Sequence, residues 1–405
     1  MPVPAFGIRL GGETKTMQRL NGPAGFCFAC IFVAFCAPIA VFAQQRVASP
    51  ETTVQAPASA DPVLTNRPPP KPKSLVIREG RVQLDVVVAD AAGRPVTGLQ
   101  PWDLKLLDNA QPRKILSFHA FNDSTSKPDP PVEVILVIDT ANLPFQQVAF
   151  VRHQVEQFLH ENSGHLKQPV SLIVLSDAGL RVQPRPSVDG NAIAKVVHDI
   201  NGSIRTVDAA MGGEGLLERF QLSVRQMANI AENEARKPGR KLLIWVGPGW
   251  PMLTRTDPSY YSEKNERRYF DGIVELSTKL REARMVIYSA APANVGAGGA
   301  DSTYALLFKD FLKPVKSAHE AQAGDLALKV LVTQSGGQIT GPDNDLAGQI
   351  DRCVADPNAF YRISFDPPPA EHAGEYHDLK VQVAQPGLTA HTSTGYYNQP
   401  HAQKQ

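Results

Sequence analysis

The chain reads as an α/β protein with a doubly wound, mostly parallel sheet, plus a smaller antiparallel β-sandwich built from the segments on either side of it. Three observations carry that expectation. The middle holds four unbroken aliphatic runs, VEVILVID, VSLIVLS, RKLLIWVG and MVIYSA, with helical patterns between them. Strands covered by helices on both faces have this composition. The two ends instead alternate apolar and polar residues over short stretches, the period of half-buried antiparallel strands. A length of 405 residues supplies material for more than one core.

In chain order, residues 1–43 read as an export signal. GPAGFCFACIFVAFCAPIAVFAQQ contains an apolar run ending at Val41-Phe42-Ala43, with short side chains at the first and third of those positions, so cleavage is expected after Ala43. Met1 begins a long preface containing Glu13, whereas Met17 begins a short basic lead, MQRLNG, and is the expected true start. The alternative is an uncleaved anchor, because the run approaches the ~20 apolar residues that span a bilayer. Cys27, Cys30 and Cys36 leave with the signal, so their CxxC spacing carries no chemistry. Cys353 alone remains, and the mature chain can form no internal disulfide.

Residues 44–74 are rich in Pro, Ala, Thr and Ser, include RPPPKPK, and read as a semi-rigid tether. Residues 75–124 form an N-terminal β segment: VQLDVVVAD, the turn AAGRPVTGL, then LKLLDNAQPRKILSF with two strands around Asp108-Asn109. The α/β unit spans 132–355, with helices expected at 145–160, 191–201, 214–235, 263–283 and 323–334. Residues 359–398 form a C-terminal β segment from FYRISFDPP, YHDLKVQVAQPGL and TAHTSTGYY. Neither terminal block suffices for a core alone, so the two are expected to pair, with the α/β unit inserted between them.

Charge and motifs exclude several functions. Forty-one Lys plus Arg against 40 Asp plus Glu leave a net charge of +1, which points away from nucleic acid and from an anionic membrane surface. Contact with a membrane is expected only through the N-terminal signal or anchor. The histidines form no HExxH or paired spacing. Ser176-Asp177 lacks a G-x-S-x-G elbow and reads as a turn. Ser335-Gly336-Gly337 follows a helix and reads as its C-cap rather than a phosphate loop. Arg267-Arg268 reads as a solvated helix face.

Asp139 stands where the first aliphatic run gives out, and ligand sites in such sheets gather beyond the C-terminal strand ends. The strand ending in Asp, the helix after it and the α/β order resemble the von Willebrand factor A domain, a Rossmann-like fold. GRPVTGLQPWDLKLLDNAQPRKILSF and HDLKVQVAQPGLTAHTSTGYY are similar to the flanks of the VWFA-related family abundant in Acidobacteria. The resemblance implies a metal-ion-dependent adhesion site with a D-x-S-x-S loop, a Thr from a second loop and an Asp from a third, since Mg²⁺ favours six hard oxygens in a tight octahedron. Here the first loop reads Asp139-Thr140-Ala141-Asn142-Leu143, no Thr lies near Gly213-Glu214, and the third loop is Gly247-Pro248-Gly249-Trp250. Thr140, Asn142 and Glu214 could substitute oxygens, but Thr140 should point away from the ligand side of the loop. No Mg²⁺ or other cofactor is therefore expected, and Asp139 should accept hydrogen bonds from its own loop.

The expected function is recognition or adhesion by an exported, non-enzymatic protein. Its partner is a protein or cell-envelope component, met by Asp139, Asn142, Glu214, Trp250 and Tyr260; exposed aromatics after the third loop favour such an interface. Two other readings are a structural component of a cell-envelope assembly and an exported hydrolase using Ser176 or Asp139, which lacks a positioned base.

Overall fold

The structure, a computed structural model, describes residues 81–122, 127–128, 130–200, 212–253, 262–293, 308–341, 343–355 and 358–399. The expected signal and tether lie outside these residues. First come β1 (Val82–Ala89), β2 (Leu104–Asp108), β3 (Gln111–Arg113) and β4 (Ser117–Phe121). The central unit follows as β5 (Glu133–Asp139), α1 (Phe145–His160), β6 (His165–Ser176), β7 (Gly179–Val182), β8 (Ser187–Asp189) and α2 (Gly190–His198). It continues with α3 (Gly212–Ala235), β9 (Lys241–Val246), α4 (Glu263–Glu282), β10 (Met285–Ala290), α5 (Leu328–Gln334) and α6 (Leu346–Val354). The chain then adds β11 (Phe360–Phe365), β12 (Glu375–Val383), β13 (Thr389–His391) and β14 (Gly395–Asn398).

The central sheet runs β10-β9-β5-β6-β7, with β8 also on β6. Strands β10, β9, β5 and β6 are parallel, while β7 and β8 run antiparallel to β6. The sheet is thus mixed at one edge, where short half-exposed strands gave no aliphatic run to read. Successive side chains of a strand point to opposite faces, so the unbroken runs feed two cores. Ile135, Val137, Trp245 and Ile287 pack with Phe220 of α3, Phe270 of α4 and Leu331 of α5. Leu136, Ile138, Val174 and Ile244 pack with Val151 of α1, Ile193 of α2 and Ile350 of α6.

Two elements differ from expectation. The helix expected at 323–334 is broken: a 3-10 turn covers Ala323–Leu326, Ala327 is extended, and α5 starts at Leu328. The Asp325 carboxylate caps the start of that turn by accepting the Gln322 N–H at 2.7 Å, and the extended Ala327 separates the turn from α5. At the other end of α5, Gly336 takes φ +82, with Gly336 N–H on Thr333 O and Gly337 N–H on Val332 O. That is a Schellman C-cap, as the Ser-Gly-Gly reading required.

The other difference lies in the N-terminal β segment, which holds three strands after its first turn rather than two. β2 and β3 form a hairpin in which Asp108 opposes Gln111. Its two-residue loop puts Asn109 at φ 49 and Ala110 at φ 63. Such loops favour Asn-Gly, because both central residues are left-handed and a Cβ there costs about 1–2 kcal/mol. Ala110→Gly is therefore expected to raise unfolding free energy by about 1 kcal/mol; a denaturant midpoint at or below wild type would refute that turn assignment.

The terminal strands form two four-stranded antiparallel sheets, β13-β1-β11-β4 and β14-β12-β2-β3, and each contains strands from both ends of the chain. Leu84, Val86, Leu106, Ile363, Phe365 and Leu379 fill the space between them. This unit meets the base of the central sheet through Phe121, Val132, Leu242, Val286 and Phe360. Asp85 marks the same seam, taking Arg284 on both carboxylate oxygens at 2.7 and 2.8 Å and Arg362 at 3.4 Å.

Candidate functional site

The central sheet changes direction at β5. From β5 the chain first adds β6 on one side, then crosses to add β9 and β10 on the other. The crevice between the ends of β5 and β9 is the topological switch point, where open α/β sheets place their ligands. Asp139 ends β5 there, and Gly247 follows β9.

Here that crevice is filled from within. Asp139 has 0% of its surface exposed. The Asn142 backbone N–H donates to its Oδ1 at 3.0 Å, as a strand-end aspartate engaging its own loop should. The Asn142 side-chain amide donates to Oδ1 at 3.1 Å and Oδ2 at 3.0 Å, and to Ser223 Oγ on α3 at 3.0 Å. The amide nitrogen must face the carboxylate, because the reverse orientation would set two oxygens against each other. The fourth contact is Trp245 Nε1, which donates to Oδ2 at 2.9 Å. Trp245 sits opposite Val137 in the β5–β9 ladder, so its indole lies on the same face as Asp139, two residues further along β5.

The surrounding residues seal the loop. Ala141 and Leu143, at the two hydroxyl positions of the D-x-S-x-S pattern, are 0% and 1% exposed and join the two cores. Thr140 does turn away, its hydroxyl donating to Leu175 O at 2.7 Å. Gly247 has φ +144, and a Cβ there would lie 3.1 Å from that of Asp139. The third loop therefore presses its backbone onto Asp139 where the resemblance implies a ligand carboxylate. Full burial pushes the Asp139 carboxyl up to about 6, against the hydrogen bonds from Asn142, Trp245 and Ala141 that lower it. At neutral pH it is a carboxylate whose oxygens are already occupied by N–H donors.

These donors do not fit Mg²⁺. A cation needs vacant oxygen lone pairs, and the groups converging on Asp139 are amide and indole nitrogens with their hydrogens pointing inward. No group of three or more His, Cys, Asp or Glu side chains with metal-binding geometry exists among the described residues.

The five residues expected at a partner interface separate. Asp139, Asn142 and Trp250 are 0%, 4% and 3% exposed and are interior groups. Trp250 packs edge-on against Trp245 at 5.1 Å and donates Nε1 to Leu326 O at 3.0 Å. Their assignment as contact residues is corrected on that ground, since side chains buried this far offer almost no surface to a partner. Glu214 is exposed on the first turn of α3. Tyr260 lies outside the described residues. Ser176 and Asp177 sit at the turn from β6 to β7, with Ser176 Oγ donating to Gly179 O at 3.3 Å.

Sequence reasoning passed over two residues. Trp245 is the one indole of β9 (Lys241–Val246), it is fully buried, and a buried indole N–H needs an acceptor. Phe145, the first residue of α1, is 66% exposed directly beyond the sealed loop.

No protein-family profile matches the chain, and no curated protein matches it. Among solved structures, it is similar to the von Willebrand factor A domain of SpRpn10, at 11% identity over 55% of this chain and 94% of that one, with a TM-score of 0.26. It is also similar to the pilus adhesin SpaC from Lactobacillus rhamnosus GG, at 10% identity, 74% of this chain and 48% of that one, TM-score 0.32. Human COPII-coat protein Sec24c is similar at 8% identity, 66% of this chain and 44% of that one, TM-score 0.30. The match spans less than half of the SpaC and Sec24c chains. At these scores the likeness transfers no function.

Proposed function

We propose that this chain is an exported, non-enzymatic recognition protein of von Willebrand factor A type that meets its partner by direct surface contact, without a bridging metal. The observation that supports this reading most is the saturated Asp139 carboxylate: an adhesion site that shares a cation needs that oxygen free, and here Asn142 and Trp245 occupy it. Export rests on the apolar run before Ala43. No helix of the described residues is long and apolar enough to cross a membrane.

With the loop interior closed, contact falls to what stands outside it. Phe145 is a large exposed apolar side chain where the family's partner would approach, and aromatic side chains anchor interfaces by filling a pocket on the partner. Glu214 supplies an exposed charge on the first turn of α3, the helix whose Ser223 meets the sealed loop from the other face of the sheet. The expected result is that Phe145→Ser weakens capture of a cell-envelope partner at least about ten-fold, the cost of one aromatic anchor, and that chelator leaves capture unchanged. Capture abolished by EDTA and restored by Mg²⁺ would overturn the reading.

A further inference from the structure

A second cleft lies where the central unit meets the sandwich. Its volume is about 40 Å³, and it is lined by Ser277 and Arg281 of α4, Gln334 of α5, Tyr376 of β12, and Ser393 and Thr394 before β14. Arg281 is out of keeping with the rest of the fold. Its Nε is buried with no hydrogen-bond partner, and no carboxylate lies within ion-pair distance among the described residues. The groups that act on it electrostatically are its neighbour Glu282 and the Tyr396 hydroxyl, which is itself committed to Asp108 Oδ2 at 3.2 Å. Arg284 and Arg362 at this seam hydrogen-bond Asp85, and Arg113, whose Nε also lacks a hydrogen bond, has the Asp108 carboxylate 3.3 Å away to balance its charge.

A partly buried guanidinium whose inner N–H has no acceptor is costly. Burial accordingly pulls Arg281 below the ordinary arginine range. Serine and threonine hydroxyls and a glutamine amide around it form the neutral donor set that completes an oxyanion site, while the planar guanidinium supplies a two-pronged donor for two oxygens. The lining contains no acidic side chain to compete.

We propose that this cleft binds an oxyanion group, carboxylate or phosphate, through Arg281, with hydroxyls from both structural units closing around it. Such a ligand would bridge α4 and the β12–β14 end of the sandwich, separately from the strand-end surface above. The proposal does not depend on the recognition reading.

The test uses the whole chain, with calorimetry and thermal unfolding in inorganic phosphate or acetate against chloride at matched ionic strength. Wild type is expected to show a saturable, oxyanion-dependent rise in midpoint. Arg281→Met is expected to weaken binding about ten-fold or more, as loss of a charged hydrogen-bond partner does, and to be no less stable than wild type in chloride. Arg281→Lys, which keeps the charge without the fork, should fall between. Tighter binding of phosphate identifies a phosphoryl ligand; tighter binding of acetate identifies a carboxylate. Neither oxyanion acting beyond chloride, or Arg281→Met retaining the full shift, would overturn the proposal. So would a loss of stability in Arg281→Met with no oxyanion effect in wild type, which would mark Arg281 as structural.

Discussion

Replacing Asp139 with Asn should lower the unfolding free energy at pH 7 by about 3 kcal/mol, although the two side chains have the same shape. The substitution turns one oxygen into an NH₂ that faces Trp245 Nε1–H or the Asn142 donors, which then lose their acceptor in a site with no access to water. Each buried donor left unpaired costs about 1–3 kcal/mol. The effect has a pH signature. A carboxyl whose folded-state pKa is raised from 3.8 to about 6 contributes stability below its ordinary pKa, and that contribution is lost as pH rises through 6. Asn does not titrate, so the gap between wild type and Asp139→Asn should widen by up to about 3 kcal/mol from pH 7 to pH 4. Guanidinium unfolding of both proteins at the two pH values measures it. A gap that is constant, or that narrows in acid, would mean the carboxyl is not desolvated as described. Mg²⁺ titration of wild type should give no saturable heat; an isotherm abolished by Asp139→Asn would show that the loop opens to a cation.

Asp85→Ala should cost a similar amount, about 3 kcal/mol, by a different route. The carboxylate is 6% exposed and holds Arg284 through two short bonds, with Arg362 beside it. Arg362 also lies over the Phe121 ring at 4.8 Å, and Arg240 lies over Phe360 at the same distance. Removing Asp85 leaves two partly buried guanidinium groups side by side with nothing negative between them, and breaking such a pair from one side costs about 3–5 kcal/mol. Arg284 sharpens the test. It sits at φ 52 after α4, a position that favours glycine, so Arg284→Gly relieves backbone strain and should still destabilise if the ion pair matters more. Asp85→Leu combined with Arg284→Met should recover most of the loss. An Asp85→Ala protein as stable as wild type would show that the seam is held by its aromatic contacts alone.

Much of the fold was legible because its physics is local. A strand flanked by helices on both faces must be aliphatic throughout, and Glu133–Asp139, Lys241–Val246 and Met285–Ala290 declare themselves on that ground. The strands Gly179–Val182 and Ser187–Asp189 lie at an edge, where half-exposed positions tolerate any residue, so they left no pattern. The closed state of the site was half legible. Loss of the hydroxyl ligands is visible in Asp139-Thr140-Ala141-Asn142-Leu143, but the partner replacing the cation, Trp245, comes from a strand 106 residues away. Phe145 was hidden for a geometric reason. It falls in phase with the buried stripe Val148, Val151, Val155 and Phe158, so periodicity assigns it to the interior. Only the position of the first turn of the helix relative to the sheet leaves it exposed.

The sandwich draws each of its sheets from both ends of the chain: Val82 pairs with Phe365, and Leu104 with Val383. During synthesis, the earliest strands therefore emerge with unpaired edges and must wait for nearly three hundred further residues before their ladder partners exist. The inserted unit can mature in that interval, since its own strands and helices are contiguous, so closure of the sandwich comes last. Until then β1, β2 and β4 present unpaired edges, the feature that invites association with other chains, and any truncation before Phe360 leaves them without their partners.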